Sequence, residues 1–172
     1  NAEKTSFNLS AAMDGGKIVL VNLSRGKIGE GPAKVLGALL AARIGLAGLA
    51  RADRPQTSRR DFHLYLDEFQ MFATLSLATM LAELRKYCVS LVLAHQYLAQ
   101  LDAQVFAAVV GNVGTIVSFR VSAEDAQVLA GELDTFQPGD FVHLPNYDIL
   151  IRLMIDGEPS RAFSARTLRD AP

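Results

Sequence analysis

The chain has 172 residues, half of them apolar, and a formal net charge of −1. That length and apolar content suit a globular domain with a sizeable core, and near-neutrality argues against a nucleic-acid footprint spread over the whole surface, though a local arginine groove stays open. The single cysteine, Cys88, excludes a disulfide framework and fits a reducing cytosol, so a cytoplasmic location is expected.

Taken in order, residues 1–16 are polar up to a Met-Asp-Gly-Gly turn at 13–16. Lys17–Leu23 (KIVLVNL) is a near-continuous apolar run, the pattern of a strand covered on both faces. Pro32 fits the first turn of a helix reaching about Ala52. Its segment 35–50 is interrupted by Arg43 and is shorter than the ~20 residues a bilayer needs, so it reads as a buried amphipathic helix. Residues 51–60 form a polar linker with Arg51, Arg54, Arg59 and Arg60, either a solvated loop or a basic edge facing a partner or a DNA backbone.

Phe62–Gln70 (FHLYLDEFQ) reads as a short buried strand ending on two carboxylates, Asp67 and Glu68. Phe62, Leu64 and Leu66 alternate onto one face, His63 and Tyr65 onto the other. An apolar strand closing on Asp-Glu is the Walker B pattern. Asp67 would hold Mg²⁺ through its water shell, because that ion dehydrates reluctantly and takes one or two carboxylates, and Glu68 would polarise the attacking water. The plainer alternative is a pair of acids complementing a helix N-terminus.

Thr74 is a candidate cap for a helix in which Leu77, Met80, Leu81 and Leu84 recur, ending at Arg85, Lys86 and Tyr87. Val89–Ala94 is a third buried strand, stopping on His95 and Gln96. A helix over 101–110 leads to a fourth strand, 115–119, stopping on Arg120. Ser122 is an N-cap with Asp125 three residues on. Pro138-Gly139-Asp140 and Pro145-Asn146 read as turns, and 147–155 with 159–164 as a hairpin around Asp156-Gly157. Strands alternating with helices predict an α/β fold with a mostly parallel sheet, one domain over 1–172 with its core at 17–133 and a terminal hairpin region at 138–166.

Asp67 with Glu68, Gln96 and Arg120 thus end three successive strands, which in a parallel sheet would share one edge and face a common ligand. Gln96 would bond a γ-phosphate or the attacking water, or else satisfy loop backbone. Arg85 either complements the helix dipole or reaches a neighbouring subunit's nucleotide as an arginine finger. Arg120 either joins the ligand site or pairs with Glu124 or Asp125. His63, His95 and His143 lack metal-ligand spacing, and no Gly-x-Ser-x-Gly elbow occurs.

The stretches IVLVNLSRGKIGE, FHLYLDEFQMFA, LAELRKYCVSLVLAHQYLAQL and VVGNVGTIVSFRVSAEDAQVL, in that order over residues 17–133, resemble the TraG/TraD-like coupling ATPases of type IV secretion and conjugation, and more distantly HerA/FtsK-like DNA pumps. The resemblance implies a RecA-like P-loop NTPase sheet flanked by helices, assembly as a homo-hexamer, ATP and Mg²⁺ as cofactors, and DNA as cargo. It implies secretion or relaxosome proteins as partners at the cytoplasmic face of the inner membrane. It matches Asp67 and Glu68 to the Walker B acids, Gln96 to the polar sensor and Arg85 to the finger position. His95 departs from the small or threonine-like residue common before that glutamine.

No Gly-x-x-x-x-Gly-Lys-Ser/Thr occurs, because Gly16-Lys17 and Gly26-Lys27 are each followed by Ile. The family's membrane helices are absent too. The expectation is therefore a C-terminal portion of a motor domain, inactive in hydrolysis by itself. The rival expectations are a non-catalytic docking module for a DNA-processing partner and an unrelated Mg²⁺-dependent hydrolase.

Overall fold

The computed structural model describes residues 7–168, without the side chains of Leu75, Ser76, Ala78, Thr79 and Leu81. Helices and strands gather into two compact units, residues 7–95 with 103–109 and residues 96–102 with 110–168. Among the described residues the fold is mixed α/β, with one parallel two-stranded sheet and two antiparallel sheets.

In the first unit, α1 (Leu9–Asp14) is capped by the Asn8 side chain, which accepts the Ala11 N–H at 3.0 Å. A single turn, α2 (Arg25–Ile28), precedes the long α3 (Glu30–Leu49). The amphipathic reading of α3 is corrected. The helix is apolar all round and buries a stripe of small residues, Ala33, Gly37, Ala41, Gly45 and Gly48, while Val35, Leu36, Leu39 and Leu46 are exposed. Residues 30–53 are long and apolar enough to cross a bilayer by length and composition. Their small-residue face is taken up inside the unit, against the helix that follows β1.

That helix is α4 (Leu75–Leu84), whose Thr74 hydroxyl accepts the Leu77 N–H at 3.2 Å, so the expected cap forms. A Cβ built on Gly37 would lie 2.1 Å from two carbons of the Phe72 ring, and one on Gly48 2.7 Å from Leu84 Cδ2. Glycine is what lets the neighbouring side chains reach the α3 backbone. Gly37→Val is therefore expected to destabilise by about 1–3 kcal/mol through overpacking; a lowered urea midpoint with an unchanged slope checks it.

Two parallel strands, β1 (Phe62–Leu66) and β2 (Val89–Leu93), pair in register, Phe62 opposite Val89 through Leu66 opposite Leu93. Phe62 and Leu91 pack on a core of Met13, Leu84 and Val89. The alternation read from the sequence holds, but only one face is covered: Tyr65 and Val92 of the other face are exposed. Lys17–Leu23, expected as a buried strand, is not one. The Lys17 N–H is bonded to Ala12 O at the end of α1, and Ile18 and Leu20 are 90% and 92% exposed. An apolar run becomes a strand only where an edge pairs it, and none does so among the described residues. Most of α5 (Ala103–Val110) completes this unit.

The second unit holds a further correction. The predicted fourth parallel strand, shortened to β3 (Ile116–Ser118), is antiparallel to β4 (Asp148–Arg152), and β4 is antiparallel to β7 (Phe163–Arg166). The hairpin forms as expected. Its tip is the short pair β5 (Met154–Ile155) and β6 (Glu158–Pro159), turning through Asp156 and Gly157, both at positive φ (52° and 89°).

Ser122 caps α6 (Ala123–Glu132) by accepting the Asp125 N–H. Pro138-Gly139-Asp140 is not a simple turn but the start of α7 (Pro138–Val142), with Pro at the helix start and a reciprocal capping box between Gln137 and Asp140. The core is Ala126, Leu133, Phe141, Leu144, Leu150 and Ala162.

Directly opposite in β4 and β7, Asp148 and Arg166 form a two-pronged ion pair, and the guanidinium holds the Asp148 carboxyl below its ordinary value while its own is raised. A depressed carboxyl stabilises the fold above its unfolded value of about 4 and loses that contribution as pH falls through the lower folded value. Asp148→Asn is expected to remove this acid-side loss, read as a flatter dependence of the urea midpoint on pH below about 4.

Candidate functional site

The backbone ladder of β1 and β2 continues past both strands. Ala94 N–H donates to Leu66 O at 2.9 Å, and Phe69 N–H donates to Ala94 O at 3.0 Å. The chain therefore leaves β1 and folds back over the carboxyl end of β2 within three residues. Glu68 makes that reversal in the left-handed region (φ 52°, ψ 44°), a conformation that costs a non-glycine residue about 1 kcal/mol and persists only where its surroundings impose it. Here Phe69 imposes it. Its ring is buried to 1% exposure and meets His95 edge-on, with centroids 5.2 Å apart.

Asp67 is exposed, and its Oδ1 accepts the Glu68 N–H at 3.0 Å. Glu68 is half-buried, and its Oε2 accepts from Gln70 Nε2 at 2.5 Å. The adjacent 3₁₀ turn is tied to α2 by Arg25, whose Nε donates to Met71 Sδ at 3.2 Å. No group of three or more His, Cys, Asp or Glu able to hold a metal occurs among the described residues. One exposed carboxylate at a strand end is nevertheless a donor set that suits Mg²⁺, which keeps most of its water.

Arg85 follows the last residue of α4, in the first unit. Its side chain is exposed and makes no hydrogen bond or ion pair among the described residues. Gln96 and Arg120 belong to the second unit. Because β3 lies in an antiparallel sheet, the expected row of three parallel strand ends is reduced to the ends of β1 and β2. Arg120 does not pair with Glu124 or Asp125; it donates to Asn146 Oδ1 at 3.2 Å.

Of the arginines in the linker, Arg51 is buried and Arg59 half-buried, while Arg54 and Arg60 are exposed. Arg51 is 3% exposed, and its guanidinium donates to Arg60 O at 2.9 Å, to Tyr87 O at 3.1 Å and to Asp14 Oδ1 at 3.1 Å. Arg54 takes the other Asp14 oxygen at 2.6 Å. Arg59 donates to Lys86 O and Arg54 O and stacks over Tyr87. These guanidiniums tie the start of β1 to the turn before β2, and the basic-edge expectation does not hold for Arg51 and Arg59. Reading by residue type missed this role, since only the burial of Arg51 distinguishes a staple from a solvated cation. It also missed Gln70, which adjoins the acidic pair in sequence.

Over residues 25–134, well over half of its length, the chain matches the family described as type IV secretion-system coupling protein DNA-binding domain. The chain belongs to that family. No curated protein matches it. The matched span of this coupling-protein domain runs from α2 to just beyond α6 and includes Asp67, Glu68, Arg85, Gln96 and Arg120. It leaves outside both Lys17–Leu23 and the antiparallel strands from β4 onward.

Proposed function

We propose that this coupling-protein domain is part of an ATP-driven DNA translocase, with Asp67 and Glu68 as its Walker B acids on a RecA-like sheet. The observation that carries this reading is the turn after β1. An exposed carboxylate ends a parallel strand, and a second, held in a left-handed turn, follows beside the end of the neighbouring parallel strand. Open α/β sheets keep ligands at that edge.

In this reading Asp67 holds Mg²⁺ through water and Glu68 accepts a proton from the water that attacks the terminal phosphate. Bound Mg²⁺ with ATP would supply charge neutralisation and the phosphoryl group. Gln96 would act as the sensor, Arg85 as the finger toward a neighbouring copy in a homo-hexamer, and Arg120 as a further ligand-side group. The family description supports DNA as a partner; in this reading DNA is the cargo, and secretion or relaxosome proteins would be partners at the cytoplasmic face of the membrane.

The test is ATP hydrolysis by the protein as its gene encodes it, with and without single-stranded DNA. Stimulation by DNA, lost in Asp67→Asn, supports the translocase. DNA binding without hydrolysis under any condition would replace it with a non-catalytic docking role.

A further inference from the structure

Two local costs meet at residues 68–70. Glu68 sits at positive φ, and Gln70 Oε1 is buried with no hydrogen-bond partner among the described residues, while Gln70 Nε2 donates to the Glu68 carboxylate. A buried acceptor left unpaired costs about 1–3 kcal/mol. Turning the amide over would relieve nothing, because Oε1 would then face the carboxylate oxygen, acceptor against acceptor. The chemistry of the pair therefore fixes the amide with Nε2 toward Glu68. Costs of this kind persist where a neighbouring group over-determines the conformation, and they gather at functional positions.

The geometry points to Gln70 as the positioning residue of the acidic pair. By donating from Nε2 to Oε2, it holds the Glu68 carboxylate at the end of β1. This assignment rests on the translocase reading for the role of Glu68, but the contact itself does not. The turn gives it leverage: Phe69, between the two residues, is locked in the core, so the backbone cannot follow if the side-chain bond is lost.

Two measurements separate the contact from the function. The first is the side-chain amide signal of Gln70 in ¹⁵N–¹H spectra, identified by its loss in Gln70→Met. One amide proton is expected well downfield of an ordinary glutamine, returning to the ordinary position in Glu68→Ala. An unmoved signal in Glu68→Ala overturns the proposal whatever the activity.

The second is hydrolysis by the protein as its gene encodes it. Gln70→Met, which keeps the side-chain length and removes the donor, is expected to lower kcat about tenfold or more with KM for ATP nearly unchanged. A wild-type or faster rate overturns the positioning role. If the amide signal behaves as expected but the wild-type protein hydrolyses nothing, the contact stands and the translocase reading falls, taking the catalytic role of Gln70 with it.

Discussion

Glu68→Gln is expected to abolish ATP hydrolysis, with a fall in kcat of about 10²-fold or more, while ATP binding is retained. The size follows from what the substitution removes: a positioned general base contributes roughly 10²–10⁴-fold, and an amide of the same shape cannot accept the proton. The sign on binding follows from position. In the proposed reading Asp67, the exposed carboxylate, faces the metal and Glu68 the water, so the variant would keep the metal-side group and lose the water-side one. Nucleotide-binding titrations beside hydrolysis rates check both halves. Equal loss of binding and turnover would reassign Glu68 to holding the left-handed turn, and an unchanged rate would remove it from the chemistry altogether.

Arg51→Met is expected to destabilise the first unit by about 1–3 kcal/mol, the cost of leaving largely buried acceptors without a donor. The arginine is buried, and its loss leaves Asp14 with only Arg54, itself half-exposed, and strips donors from the carbonyls of Arg60 and Tyr87. Those carbonyls flank β1 and the turn before β2, so the damage falls on the sheet that carries the acidic pair. Arg54→Met, which removes an exposed partner of the same carboxylate, is expected to cost about 1 kcal/mol or less. Chemical denaturation of both variants measures the contrast. Equal small effects would mean that the Arg51 bonds are replaced by water once the side chain is shortened.

Much of this architecture was legible locally. The alternation in Phe62–Leu66, the caps at Thr74 and Ser122 and the turn at Asp156-Gly157 each depend on residues within a few positions of one another, and each formed as read. The match over residues 25–134 likewise bears out the family resemblance carried by the ordered motifs. Three other readings failed for a common reason. KIVLVNL has strand composition but no partner edge among the described residues. Ile116–Ser118 is apolar enough for a parallel or an antiparallel place, and pairing of Ile116 with Arg152 decided for the second. The α3 helix is apolar on every side, so composition carried no sign of which face would be buried. Gly37, Gly45 and Gly48 settled that by admitting Phe72, Met80 and Leu84.

Short stretches of sequence were enough to set which residues end β1, where the helices after Thr74 and Ser122 begin, and the family to which the chain belongs. These follow from side-chain period, capping chemistry and motif order, all properties of short stretches. Folding was needed to bury Arg51 as a staple, to bring Arg120 to Asn146 and to set Gln70 on Glu68. Each of these turns on burial or on the approach of groups that folding brings together: an arginine beside an aspartate far back in the chain, or an amide turned inward by a neighbour anchored in the core.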